Sequence, residues 1–330
     1  MTRRMTPRDA VQRYLEERKP DLSESSYYNI SCALDRFVEF CDEEGIEDIT
    51  TLDAFHVSDF KLRRREHVSE MTVYNNLCAV RVFVRWLQAM DCIDAGLAEN
   101  MILPTPDDDA RDEMIDRDTA EQIAAYLERF EYATLRHALF VLLWDTGFRV
   151  GTARALDRGD YDSDGQYVTV THRPDTGTPL KNGSNAEREV NLHEWVCEVL
   201  DDYIQIHRED VTDDAGRAPL LTTRHGRPHG TTLRGHTNAL TRPCHYTGEC
   251  PHDRDMDDCE ATQYRQAQRC PSSVSPHPIR RGAITQWLNE GHRKELISDR
   301  MDVSTDTLDK HYDARSESEK RELRRDMFDM

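Results

Sequence analysis

The stretch "LPTPDDDARDE", residues 103–113, divides this chain into two parts of different character. Prolines and a run of aspartates, with no apolar periodicity, mark a linker rather than an element. Before it, apolar residues recur only at helical spacing. After it, helical and alternating patterns mix. A chain of 330 residues also exceeds what one hydrophobic core usually serves, so two folding units are expected: 1–103, a linker 104–113, and 114–330.

The first part reads as helical throughout. "TPRDAVQRYLEER" places Val11, Tyr14 and Leu15 on one face. "SESSYYNISCALDRFVEFCDEEG" does the same with Ile30, Leu34, Phe37, Val38 and Cys41, and stops at Gly45. "TLDAFHVSDFKLRRREH" is shorter and ends in basic residues. "SEMTVYNNLCAVRVFVRWLQAMD" carries Leu77, Val80, Val84 and Leu87. Four such helices make a small bundle.

The second part opens on "DTAEQIAAYLERF", where Asp118 precedes Glu121 by three and predicts an N-cap. "YATLRHALFVLLWDTG" is apolar nearly all round and ends at Gly147, which predicts a helix at the centre of a second core. "YVTVTHRPDTGTPLKNGSNAEREVNL" alternates, turns and alternates again, which predicts a strand pair. Helices are expected at about 193–208, 279–290, 293–301 and 304–312. The expected fold class is mainly α with a small β-hairpin or sheet.

No run of about 20 apolar residues occurs, and "MTRRMTPRDA" lacks the apolar stretch of a signal peptide, so a soluble, cytoplasmic protein with no membrane partner is expected. The 63 acidic against 43 basic residues leave a net charge of −20. At face value this disfavours a nucleic-acid partner. However, the acids cluster in surface-like runs ("PDDDARDEMIDRD", "DDYIQIHREDVTDD", "DRDMDDCE"), and arginine is common while lysine is scarce. That combination fits a surface adapted to high salt. The total charge then reports the solvent, and the placement of individual arginines reports the function.

Arginine placement is most pointed in "SPHPIRRGAITQWL", residues 275–288. His277 and Arg280 stand three apart at the mouth of a helix whose buried face holds Ile284, Trp287 and Leu288. An imidazole, a guanidinium and helix N-terminal amides could address one tetrahedral anion such as a phosphate. The plainer alternative is an exposed cap with solvated arginines. Four further stretches bear on the choice. "DTGFRVGT" sets Arg149 just past a helix stop, and "TPLKNGS" sets Lys181 between the strands. "TLDKHYDARSE" ends a short helix at Tyr312, and "KLRRRE" holds Arg63, Arg64 and Arg65. Taken singly, each could be a cap, a surface turn, a packing residue or a solvated face.

In this order and layout the set resembles the tyrosine recombinase family, of phage-integrase and Xer type. The family's T-G-x-R-x-x-E box corresponds to "TGFRVGT", its hairpin lysine to Lys181, its H-x-x-R box to "HPIRRG", and its nucleophile to Tyr312. The acid-rich surface and the cysteines most resemble integrases of halophilic archaea. The resemblance implies an N-terminal helical, SAM-like DNA-binding bundle and a mixed α+β catalytic domain. It implies a site-specific DNA recombinase that cuts and rejoins strands through a 3′-phosphotyrosyl link. Arg149 and Arg280 would clamp the phosphate, Tyr312 attack it, His277 manage the proton and Lys181 protonate the leaving oxygen. Catalysis would need no cofactor. Double-stranded DNA would be the partner, with a homotetramer on two DNA sites as the working assembly. Arg63, Arg64, Arg65, Arg81 and Arg85 are candidates for backbone contact with DNA.

Two positions depart from the family pattern: Thr152 stands where an acid is usual, and Val303 where His or Trp is usual. They keep two alternatives open, a DNA-binding regulator on the same scaffold that does not cleave and a nicking-closing enzyme like type IB topoisomerases.

Nine cysteines occur. Cys32, Cys41, Cys78, Cys92 and Cys197 sit among apolar residues and are expected to be core thiols. Cys244, Cys250, Cys259 and Cys270 crowd into a polar insert at 243–271, spaced C-x5-C-x8-C-x10-C. Either they hold a structural zinc, with His245 or His252 as substitute ligands, or they are free thiols in a loop. A tail helix at 316–328 is expected from Ser316, Glu319, Leu323 and Phe328, docking onto a neighbouring protomer.

Overall fold

The computed structural model describes residues 4–105, 113–263 and 265–312, together with positions 318, 321 and 325. The chain divides into two compact units, Met1–Ala110 and Arg111–Met330. Most of the expected linker and tail helix, including Ser316, Glu319, Leu323 and Phe328, lies outside the described residues.

The first unit is helical: α1 (Pro7–Arg18), α2 (Glu24–Glu43), α3 (Ala54–Arg65), α4 (Glu70–Ala89) and the single turn α5 (Leu97–Asn100). Each of the first four begins on a small polar residue that takes up an otherwise orphaned amide. Thr6 accepts from Asp9, Ser23 from Ser26, Asp53 from Phe55 and His56, and Ser69 from Thr72. The four apolar stripes meet in an aromatic centre. Tyr14, Phe37, Phe60 and Phe83 are buried there. The Phe37–Phe60 rings lie 5.3 Å apart edge to face, as do Tyr14 and Phe83 at 5.4 Å.

The second unit is built round α7 (Leu135–Thr146), whose residues Leu139–Leu143 are all buried. Burying side chains of this kind stabilises the fold by about 1.5–3 kcal/mol each. Before α7 comes α6 (Arg117–Phe130), capped by Asp116, which accepts from Thr119 at 2.7 Å. The cap is therefore Asp116 and not the expected Asp118, which lies inside the first turn. After α7, the short α8 (Val150–Ala155) leads to an antiparallel sheet of β1 (Tyr161–Asp162), β2 (Tyr167–Val170) and β3 (Arg188–Asn191) in that order. Val168 pairs with Val190, so the apolar positions of both strands face the core.

Next, α9 (Glu194–Asp202) gives way to a π-turn over Tyr203–His207, so only part of the helix expected at 193–208 is α. A helix not anticipated from the sequence, α10 (Gly230–Leu240), follows. Its two glycines and three threonines have low helix propensity, and burial of Leu233, Thr237 and Leu240 overrides that. The insert begins with α11 (Pro243–Thr247). Then come α12 (Pro276–Asn289), α13 (Lys294–Met301) and α14 (Thr305–His311). α12 starts three residues earlier than expected because Pro276 fits a first helical position, where no amide is needed. It packs along α7. Gly282 permits the close approach: a Cβ there would meet the Trp144 ring of α7 at 2.9 Å and, closer still, the backbone carbonyl oxygen of Ile115 just before α6.

The remaining apolar residues of α12–α14 form a small cluster of Ile284, Leu288, Ile297, Met301, Val303, Leu308 and Tyr312. Among the thiols expected in cores, Cys41, Cys92 and Cys197 are buried, but Cys32 is exposed and Cys78 half-buried. The last two lie on the edges of their helices' apolar stripes rather than at the centre.

Candidate active site

Three chain segments converge at the start of α12. The first is the end of α7. Gly147 closes that helix in the left-handed conformation, φ 60°, and its carbonyl accepts Arg280 Nη1 at 2.5 Å. Arg149 follows as the N-cap residue of α8 with extended backbone, which turns its side chain out of both helices. The second is the β2–β3 connection, where Lys181 lies on an exposed turn next to Asn182. The third runs from α12 through α14 to Tyr312.

Arg280 is 2% exposed. Burial, and next the charge of Arg149, pull its pKa down to about 10; it stays a cation at neutral pH. The neighbouring Tyr312 hydroxyl offsets part of that cost, and the Gly147 and Asp302 carbonyls take its guanidinium donors. Tyr312 itself is 6% exposed, packed into the small cluster described above. Its backbone is held at both ends: its amide donates to Leu308 at 3.1 Å, and its carbonyl accepts from the Thr285 hydroxyl at 3.2 Å. The tyrosine expected to act on a phosphorus atom and the arginine expected to clamp it are thus neighbours within one chain.

His277 stands on the first turn of α12, its ring 6.4 Å from that of Tyr312 and edge-on to it. Although the ring reaches solvent, its pKa is lowered, first by partial desolvation, then by the charges of Arg280, Arg281, Arg149 and Lys181. The helix start contributes less positive potential than the sequence suggests. Ser275 makes no side-chain cap bond, and Pro276 and Pro278 bring no amide hydrogen. The field of the site is that of its side chains.

Several residues of this site carried no signal in the sequence. Asp302 ends α13 in the left-handed conformation, φ 51°, and its carboxylate bonds Arg149 Nη1 at 2.5 Å and Asn182 Nδ2 at 2.8 Å. Its backbone carbonyl accepts Arg280 Nη2 at 3.4 Å. α13 is in turn anchored by Arg300, which reaches Asp145 at 3.2 Å and stacks over the Trp287 ring at 4.6 Å. Thr152 is buried, its amide bonded to the Arg149 carbonyl at 2.8 Å, so no carboxylate approaches the arginines from that side. Val303 is a core residue of the α12–α14 cluster.

The five arginines expected to meet DNA lie in the first unit. Arg63 pairs with Glu43 and Glu44, Arg65 with Glu70, and Arg85 with Glu99 at 3.6 Å. Arg64 donates to Asn76 at 3.0 Å, and Arg81 is half-buried on α4. Surface pairs of this kind are worth at most about 1 kcal/mol and exchange readily for a phosphate.

The four insert cysteines are free thiols. The Cys244 thiol is pushed up, first by burial, and then by Cys270, Cys250 and Cys259 after a small relief from Arg242. His252 Nε2 bonds Ser272 Oγ at 2.9 Å, joining the segments that follow Cys250 and Cys270. Among the described residues no three His, Cys, Asp or Glu side chains stand in metal-holding geometry. His245 is turned away, bonded to Glu131 at 3.1 Å.

Comparison with known proteins agrees with this architecture. Residues 11–90 match the family described as phage integrase, N-terminal SAM-like domain. A Tn1549 transposon integrase in complex with a circular intermediate DNA superposes with a TM-score of 0.70 at 15% identity, over 97% of this chain and 99% of that one. A lambda integrase dimer bound to a core site gives 0.65 at 12% identity, over 96% and 79%. A lambda integrase tetramer bound to a Holliday junction gives 0.64 at 13%, over 92% and 79%. The chain has an N-terminal SAM-like domain and the fold of a tyrosine-recombinase catalytic domain. No helix among the described residues is long and apolar enough to cross a membrane.

Proposed function

We propose that this protein is a site-specific DNA recombinase that cuts and rejoins DNA through a 3′-phosphotyrosyl intermediate. One observation carries the reading: Tyr312 is buried beside the buried Arg280, its carbonyl held by Thr285 of the same helix as Arg280 and its ring 6.4 Å from that of His277. A phosphodiester gains charge on its non-bridging oxygens as it is attacked, and two fixed guanidiniums would meet that charge. Tyr312 Oη would form a bond to phosphorus while the bond to the 5′-oxygen breaks. The phenolic proton would pass to His277, whose pKa is lowered first by partial desolvation and then by its cationic neighbours. Lys181 would give a proton to the departing 5′-oxygen. The tyrosyl ester keeps the bond energy, so a second strand's 5′-hydroxyl can reverse the step onto a new partner without a nucleotide cofactor.

Double-stranded DNA is the proposed partner, and four protomers on two duplexes the proposed assembly; the likeness to a lambda integrase tetramer bound to a Holliday junction supports it. The acidic surface suits action at high salt, in line with an integrase of halophilic-archaeal type. For the insert we propose a structural zinc held by Cys244, Cys250, Cys259 and Cys270. Four unbridged thiols support it, in a polar segment whose buried residues are only Ala261, Ala267 and Cys270 among those described.

The test is a nicked duplex that traps covalent adducts, incubated with wild type and with Tyr312→Phe, in molar potassium chloride and at low salt. Adducts with wild type alone support the reading. Binding without adducts supports a regulator that does not cleave, which Thr152 and Val303 would favour.

A further inference from the structure

The carboxylate of Asp302 lies where an anion would be expected only if it were the substrate's. One oxygen bonds Arg149, the other Asn182 beside Lys181, and the carbonyl of the same residue bonds Arg280. A carboxylate offers two oxygens and one negative charge in a plane, close to what two non-bridging oxygens of a phosphodiester present to the same donors. The contact is partly open to solvent, with side-chain exposures of 26% for Arg149 and 15% for Asp302. A brace packed behind the guanidinium would leave its outer donors free. Here the carboxylate spans from the arginine to the lysine turn, across the gap that the phosphate would have to fill.

We infer that Asp302 is an internal anion that holds the phosphate seat, and that DNA must displace it to bind productively. The inference rests on reading this cluster as a phosphate site. Asp302 ends a helix in a conformation that aspartate, asparagine and glycine adopt most easily. Its side chain can therefore leave the seat by rotating, without unwinding α13. Until displaced, it also neutralises Arg149 and keeps two like charges, Arg149 and Arg280, side by side in the empty protein. The residue thereby sets a threshold. A phosphate that is brought in by a whole bound duplex outcompetes the carboxylate, and a free anion displaces it only weakly.

The experiment measures inorganic phosphate binding to the full chain by calorimetry, at fixed ionic strength, for wild type, Asp302→Asn and Asp302→Gly. Both variants suit the left-handed backbone, and circular dichroism checks that they fold. The expected result is roughly tenfold tighter phosphate binding in both variants, the size of one charge-assisted hydrogen bond, with the gain lost on adding Arg149→Ala. Unchanged or weaker binding in both variants, while Arg149→Ala alone still weakens wild type, overturns the competing-anion role and leaves the phosphate site standing. No response to any substitution, Arg149→Ala included, overturns both.

Discussion

Arg280 and Gly147, 133 residues apart, share a 2.5 Å hydrogen bond from guanidinium to backbone carbonyl. That carbonyl is available because Gly147 turns out of the helix with φ 60°. The same residue has no room for a side chain: a Cβ would lie 2.9 Å from Met301 Sδ. Gly147→Ala should cost about 1–2 kcal/mol from backbone conformation alone, read as a lowered thermal midpoint. It should also slow adduct formation by moving the support of Arg280.

Gly282→Ala should be more damaging. The 2.1 Å approach to the Ile115 carbonyl involves backbone on both sides, so no flexible tip can yield. A loss of about 3 kcal/mol is expected, at the upper end of overpacking costs. Urea denaturation of the full chain would measure it, and a neutral result would contradict the packing of α12.

Removal of the clamp should be visible kinetically. Arg149→Ala and Arg280→Ala should each lower the rate of adduct trapping by about 10²–10³. Tyr312→Phe should abolish adducts while the melting temperature changes little, since the ring keeps its packing and only the hydroxyl beside Arg280 is lost.

Acid should affect rate and stability through different histidines. The pKa of His277 is lowered, so it stays neutral, and able to accept a proton, below pH 6.5. The acidic limb of the adduct-rate profile should therefore lie under the ordinary imidazole value and shift in His277→Gln. His137 is buried against the Ala133 amide, which it accepts at 3.2 Å, and burial lowers its pKa to about 4. Between about pH 4 and the unfolded value near 6.5, the unfolded chain binds the extra proton. Stability is thus full above pH 6.5 and is lost as pH falls, by about 3 kcal/mol in all. Thermal melts from pH 4.5 to 7.5 should show the slope, and His137→Asn should flatten it.

For the insert, elemental analysis should find about one zinc per chain, and chelation should lower the melting temperature by about 10 °C. Protein purified without zinc that melts at the same temperature would remove the proposal.

Much of this architecture was written in periodicity and punctuation. In the first unit Val11, Tyr14 and Leu15, then Leu34, Phe37 and Val38, then Leu77, Val80, Val84 and Leu87 announce helices by their spacing, and Gly45 and Gly147 stop helices where expected. α10 was hidden because its threonines and glycines argue locally for a loop, and only its burial makes it a helix. The five proposed site residues could be picked out by order and chemistry. Asp302 could not: an aspartate between two short helices looks like a surface cap, and its partners Asn182 and Arg149 lie 120 and 153 residues away. The true cap Asp116 was missed because two aspartates in one turn offer equivalent patterns, and only the backbone decides which is used.

Tyr312 sits with the guanidinium of its own polypeptide, its carbonyl fastened to Thr285 of the preceding helix. As the proposed nucleophile, a tyrosine tethered this way would serve only a phosphate bound by its own subunit. Mixing Tyr312→Phe subunits with Arg149→Ala subunits should therefore restore nothing, because no protomer can lend the other its missing part.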